Sequence, residues 1–427
     1  MPFFAPSSRK ASKFAIAAAI MSVGAFGVTA FDAPACAQRS KKKAEPEYSD
    51  EFRNAIAPIQ EALEAEGADK AALLDQIVAT EALVSTDDDK YVFGNTLYLT
   101  ALELKNWELA SKGMELMLAS GKTPEENMVG YTANAGRLAF NIKDYSLARQ
   151  RLQQAIDLGS QDPELQTLIT QTFAAENNSS GGVEYVMQQI DEQLNAGQAP
   201  DDALLQTGLA AAYKAGRYAE TSKLAHAAAK YYPNEMNWRN AIGVHRDLGR
   251  LDDAKLLDLM RLLRATGYMK DQLDYEVYID AANYRVLPAE VLEVTQAGVS
   301  AGALNSSDPF VSEALTESQS QAPGLRADLA ELERDARASG ATAKITLAAA
   351  DAYFNFGENS KAAELYEIAL TRPGVDSGMA LTRLGIAQYE AGNSAAALET
   401  FAKVEGDRAP IADLWATFIA QQSATAS

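Results

Sequence analysis

The sequence predicts an all-α chain: an α-solenoid of helix-turn-helix hairpins closed by a C-terminal capping helix. Three observations carry the prediction. Apolar residues recur at helical spacing almost without a break from Ser49 onward. Small residues share each helix with one or two large apolar ones, so that neighbouring backbones can approach closely. Pro and Gly are sparse, 14 and 27 in 427 residues, whereas 47% of the chain is hydrophobic, enough for a continuous core. A single hairpin cannot bury both of its apolar faces; a stack can.

The pattern is clearest at 343–404, where two copies lie end to end. In the first, Thr346, Ala349, Ala350 and Tyr353 precede Gly357, and Ala362, Tyr366 and Ala369 follow it. In the second, Leu381, Leu384, Gly385 and Tyr389 precede Gly392, and Ala397, Phe401 and Val404 follow. The two turn glycines are 35 residues apart. This arrangement resembles the tetratricopeptide repeat family, a helical solenoid with a period of about 34 residues. The resemblance implies a right-handed superhelical stack of hairpins that binds protein or peptide segments in a concave groove.

Taken in order, residues 1–37 read as a secretory signal peptide. Arg9, Lys10 and Lys13 precede the uncharged run from Phe14 to Ala30, and Ala35-Cys36-Ala37 offers a cleavage site before Gln38. An uncleaved anchor and a lipoprotein signal using Cys36 are the rival readings. Cleavage leaves 35 basic and 57 acidic residues, a net charge of −22, and no cysteine. An exported chain without disulfides points to the bacterial periplasm, with outer-membrane attachment through Cys36 as the alternative. Such acidity repels nucleic acid and anionic lipid, so partners are expected to be neutral or basic. Residues 38–48 form a charged leader.

Residues 49–268 read as an N-terminal stack. Ser49-Asp50 caps a first helix to about Glu66, with Pro58 inside it, and a second runs to about Val84. Family positions return at 91–124 around Lys105-Asn106 and at 129–162 around Lys143-Asp144. Both turns lack glycine and predict weak caps. A divergent unit at 163–197 precedes clear ones at 202–235, turning at Gly216, and 235–268, turning at Gly249. In the last of these Asp258 and Arg261 replace apolar residues, which predicts a rotated or exposed second helix. Residues 269–340 read as divergent hairpins with helices at about 271–286, 288–302, 309–318 and 323–339, and with loops at 303–309 and 318–324. Residues 341–427 hold the clear repeat pair and the capping helix opened by Pro410.

Catalytic chemistry is hard to find. His226 and His245 lack metal-ligand spacing. Gly121-Lys122-Thr123 lacks the earlier glycine of a phosphate loop, and Asp87, Asp88 and Asp89 fit a helix start better than a calcium loop. No cofactor, metal or enzymatic activity is expected. Tyr275, Tyr278 and Ala282 read as a core stripe.

What the resemblance implies instead is a groove lined by first helices. Carried over position by position, it assigns Arg137, Phe140 and Asn141, then Tyr213 and Lys214, then Arg239, Arg246 and Asp247, then Asp351, Phe354 and Asn355, and finally Thr382, Tyr389 and Glu390. The expected function is a non-catalytic scaffold in the cell envelope that holds a segment of another protein. A glycan-facing role in cell-wall or exopolysaccharide assembly is the alternative, with a carboxylate-dependent enzyme behind it.

Overall fold

The computed structural model describes residues 46–426, with every helix in the compact unit Glu47–Ser427. The expected signal peptide, Cys36 and most of the expected charged leader lie outside the described residues. Among the described residues there are twenty α-helices and no strand. The opening pair is α1 (Asp50–Glu64) and α2 (Lys70–Ala79), the latter continued by a 3-10 turn over Thr80–Leu83. Six hairpins follow: α3 (Asp87–Glu103) with α4 (Trp107–Ala119), α5 (Glu125–Asn141) with α6 (Tyr145–Asp157), α7 (Glu164–Ala175) with α8 (Ser179–Asn195), α9 (Asp202–Lys214) with α10 (Tyr218–Tyr231), α11 (Glu235–Leu248) with α12 (Asp253–Ala265), and α13 (Gln272–Ala282) with α14 (Pro288–Ser300). A single long helix, α15 (Pro309–Arg337), leads to α16 (Ala343–Asn355) with α17 (Asn359–Leu370), α18 (Ser377–Glu390) with α19 (Ser394–Phe401), and α20 (Ala409–Ala426). Each helix packs on the next, so the fold is an α-solenoid of tetratricopeptide-like hairpins.

The hairpins turn by one shared device. A single residue takes positive φ between the two helices: Lys105, Lys143, Asn177, Gly216, Arg250, Asn283, Gly357 or Gly392. In six of these turns the following amide donates to the carbonyl five residues back, as in Asn106 to Ala101, Asp144 to Ala139 and Asn393 to Gln388. That bond closes a Schellman end on one helix. The same following residue often caps the next helix, as Asn106 does through Leu109 and Asp144 through Leu147. The weak caps expected at Lys105 and Lys143 are therefore corrected: both lysines adopt the left-handed conformation and make the full set of closing bonds. The turn expected at Gly249 is also corrected, because Gly249 has φ −75 and Arg250 is the left-handed residue.

Backbones cross closely where the sequence offers small residues. A side chain on Gly94 would meet the Gly113 carbonyl, and one on Gly113 would meet Tyr98 and Gly94, all within 2.7 Å. Beneath Gly385 lies the Phe401 ring. At the chain's start Asp89 closes a capping box with Thr86 and also accepts from Ser49, tying α1 to α3.

The predicted break at 318–324 does not occur, since α15 runs unbroken through Pro323 for 29 residues, roughly 43 Å. Proline removes one amide donor, but the freed carbonyl is on exposed Gln319, where water can reach it. Val311 and Ala314 anchor one end of α15 in the core, and Leu329 and Ala336 anchor the other. Beyond this strut the chain doubles back. Helix α16 packs on α14, α18 on α12, and α20 on both α12 and α10. One continuous core joins Leu224, Trp238 and Leu259 to Ile386, Trp415 and Phe418. The C-terminal helix thus covers the last hairpin and also docks on the middle of the stack. His226 on α10 bonds Thr417 at 2.7 Å, and Gln421 donates to the Ala229 carbonyl at 2.9 Å.

Candidate functional site

The predicted groove residues divide into two groups. On the earlier first helices they sit at or near the surface. Tyr213 is 54% exposed, and Lys214 and Asn141 are also exposed. Phe140 is half-buried edge-on to Tyr145, and Arg137 pairs with Asp162 of the next hairpin. Arg239 and Arg246 are committed inward. Arg239 donates to the Tyr268 carbonyl at 2.6 Å and to Asp274 at 2.7 Å, and also pairs with Asp271. Arg246 pairs with Asp247 at 2.7 Å and reaches Asp274 at 3.3 Å. The Asp274 side chain is only 2% exposed, so these two arginines neutralise a buried carboxylate at the start of α13.

On the last two hairpins the first-helix face is filled by the chain's own middle helices. Thr382 has no exposure, and its hydroxyl donates to the Gly378 carbonyl. Asn355 accepts the Glu290 amide at 2.9 Å, and Asp351 accepts from both Tyr366 and Arg383. Phe354 lies 4.5 Å beneath the Arg261 guanidinium, and Tyr389 packs against Trp415 and Phe418. As surfaces open to a partner, Asp351, Asn355, Thr382 and Tyr389 are therefore corrected. The face assigned to ligand meets α12, α14 and α20 instead.

At the centre of this junction is a buried ionic cluster that sequence reading treated as a fault in the repeat. Asp258, with no exposure, accepts from Arg261 at 3.1 Å and from Arg408 at 2.6 Å, and its backbone carbonyl accepts the Trp415 indole at 3.0 Å. Arg261 grips Glu290 with two bonds of 2.7 Å, and the Tyr278 hydroxyl donates to the same carboxylate at 2.7 Å. Arg383 bridges Asp351 and the Asp258 side. The second helix α12 is thus neither rotated outward nor exposed at Asp258 and Arg261, because three arginines and three carboxylates compensate each other there. Burial alone would raise the Glu290 carboxyl, but Arg261 outweighs it and holds the group below its usual range. Burial first, and then the neighbouring Glu290 charge, push Tyr278 up. The available signal was two charged residues three apart at otherwise apolar positions of one helix.

Beside the cluster is a cavity of about 350 Å³ between α12, α14, α16, α17 and α18, lined in part by Arg264, Glu293, Phe354, Asn355, Asn359 and Glu390. Among the described residues no group of three or more His, Cys, Asp or Glu side chains could hold a metal ion, and no helix is long and apolar enough to cross a membrane. His245 is buried, with hydroxyls at both nitrogens, Tyr218 at 2.8 Å and Ser222 at 3.0 Å. Burial lowers it to about 4.

Neither a family model nor a curated protein sequence matches the chain. Solved helical-repeat structures are similar at low identity. The C-terminal part of a TPR repeat-containing protein from Cytophaga hutchinsonii shares 15% identity at a TM-score of 0.30, covering 64% of this chain and 95% of that one. A pentatricopeptide repeat protein from maize shares 13% at 0.33, covering 83% of this chain, which spans about half (51%) of the maize protein. An APC/C hetero-tetramer shares 12% at 0.24, covering 79% and 68%. The hairpins and their shared turns, rather than these likenesses, establish the solenoid.

Proposed function

We propose that this chain is a non-catalytic protein–protein interaction scaffold of the bacterial cell envelope, holding a segment of a partner against the first helices of its middle hairpins. The observation that carries the reading is a set of large apolar side chains left at the surface of three successive first helices: Tyr213 on α9, Met236 on α11 and Leu273 on α13, which are 54%, 58% and 54% exposed. Met236 and Leu273 each stand second in their helices. Met236 and Leu273 repeat at the same helix position and Tyr213 stands near the far end of α9, so apolar groups exposed on successive first helices offer anchors to an extended segment or a helix. The chain's acidity favours a neutral or basic partner.

The test is crosslinking in the living cell followed by affinity purification, with a Tyr213→Glu, Met236→Glu, Leu273→Glu variant beside the parent. Arg239 and Arg246 stay unchanged, because reversing them would set buried Asp274 against two carboxylates. A protein captured by the parent and lost by the equally helical variant supports the scaffold; identical captures from both reject this face. Export is tested separately by fractionation and by N-terminal sequencing, with Gln38 as the expected first residue.

A further inference from the structure

The cavity beside the ionic cluster has an unbalanced lining. Most of its charged groups are satisfied from within: Arg261 holds Glu290, and Arg264 pairs with Glu293. Two groups are left. Glu390, at the rim, makes no hydrogen bond, and its carboxyl is raised by burial against the lowering effect of Arg264 and Arg261. Asn355, only 5% exposed, uses Oδ1 to accept the Glu290 amide, but its Nδ2 is buried without a hydrogen-bond partner. An unpaired buried donor is costly, and a ligand bringing an acceptor would recover that cost. The lining carries two guanidinium groups against three carboxylates, so a cation is favoured and an anion is not. At about 350 Å³ the space suits a molecule of one residue's size.

We propose that this cavity binds a primary ammonium group together with a carbonyl or hydroxyl of the same molecule, the ammonium meeting Glu390 and the acceptor meeting Asn355 Nδ2. A free amino alcohol, and a lysine residue of a partner protein through its ε-ammonium and a backbone carbonyl, present this same pair of groups. The site uses no side chain of the Tyr213, Met236 and Leu273 face, so it stands apart from the scaffold reading.

Isothermal titration calorimetry on the full chain tests it. The probes are glucosamine, as a free amino compound, and Nα-acetyl-lysine methylamide, as a lysine in peptide form. N-acetylglucosamine and Nα-acetyl-norleucine methylamide are the uncharged counterparts. At least one ammonium probe is expected to bind, with its uncharged counterpart weaker by about tenfold or more. Glu390→Gln, a change at the rim that leaves the core intact, is expected to weaken that probe by about tenfold. Binding of glucosamine alone identifies a free ligand, and binding of the lysine amide alone identifies a partner's side chain. No binding by either ammonium probe, equal binding of an uncharged counterpart, or full affinity in Glu390→Gln overturns the proposal.

Discussion

Gly113 has no room for a methyl group, because the backbones of α3 and α4 already touch there. Gly113→Ala forces the pair apart, and chemical denaturation should report a loss of about 1–3 kcal/mol. The opposite change is available at Lys143, which holds φ +65 at the α5–α6 turn. An L-residue is strained there, so Lys143→Gly should leave the fold unchanged and raise stability by up to about 1 kcal/mol. His245 sets a pH dependence. Its folded pKa of about 4 lies below the ordinary 6.5, so the unfolded chain binds the proton first. The stabilisation, about 3 kcal/mol, is complete above pH 6.5, declines as pH falls, and is lost below pH 4. In His245→Gln the fall in Tm between pH 7 and pH 4 should be visibly shallower than in the parent.

Helix α12 decides how the C-terminal helices dock. Asp258 meets Arg261, Arg383 and Arg408 together, and it is where the Arg408 guanidinium pairs with α12. Asp258→Leu strands those cations in a dry site and should cost about 3–5 kcal/mol. Hydrogen exchange should locate the loss, with amides of α18 and α20 exchanging faster and those of α3 to α6 unchanged. A uniform loss of protection along the whole chain would contradict a local clasp.

At the scale of the molecule, α15 acts as a strut that sends the chain back on itself, so that two stacks share one core. The apolar faces of α10 and α12 are covered by residues roughly 150 to 190 positions away in sequence, as the Arg408–Asp258 and His226–Thr417 contacts show. Ending the chain at Gly340 would uncover Leu259, Trp238 and the charged cluster together. Such a truncation should stay helical by circular dichroism but self-associate in sedimentation velocity, whereas the parent sediments independently of concentration.

The sequence by itself determined the helices, their pairing into hairpins and most of the core, because helical periodicity and small residues at crossings are local signals that each hairpin satisfies with its neighbour. The residues it assigned to a groove do lie on first helices. What it could not decide was which of those helices face solvent. The left-handed lysines at 105 and 143 were hidden because no composition rule marks a non-glycine residue for that conformation; the closing hydrogen bonds impose it. The unbroken α15 was hidden because Pro323 and Gly324 read as a break, while the packing that holds both ends of the helix comes from elsewhere in the chain. Asp258 and Arg261 looked like damage to a repeat because their partners, Glu290, Arg383 and Arg408, lie on other elements. Burial and charge compensation over such separations exist only once the chain has folded back, so only the tertiary structure turned that irregularity into the junction that covers the first helices of the last two hairpins.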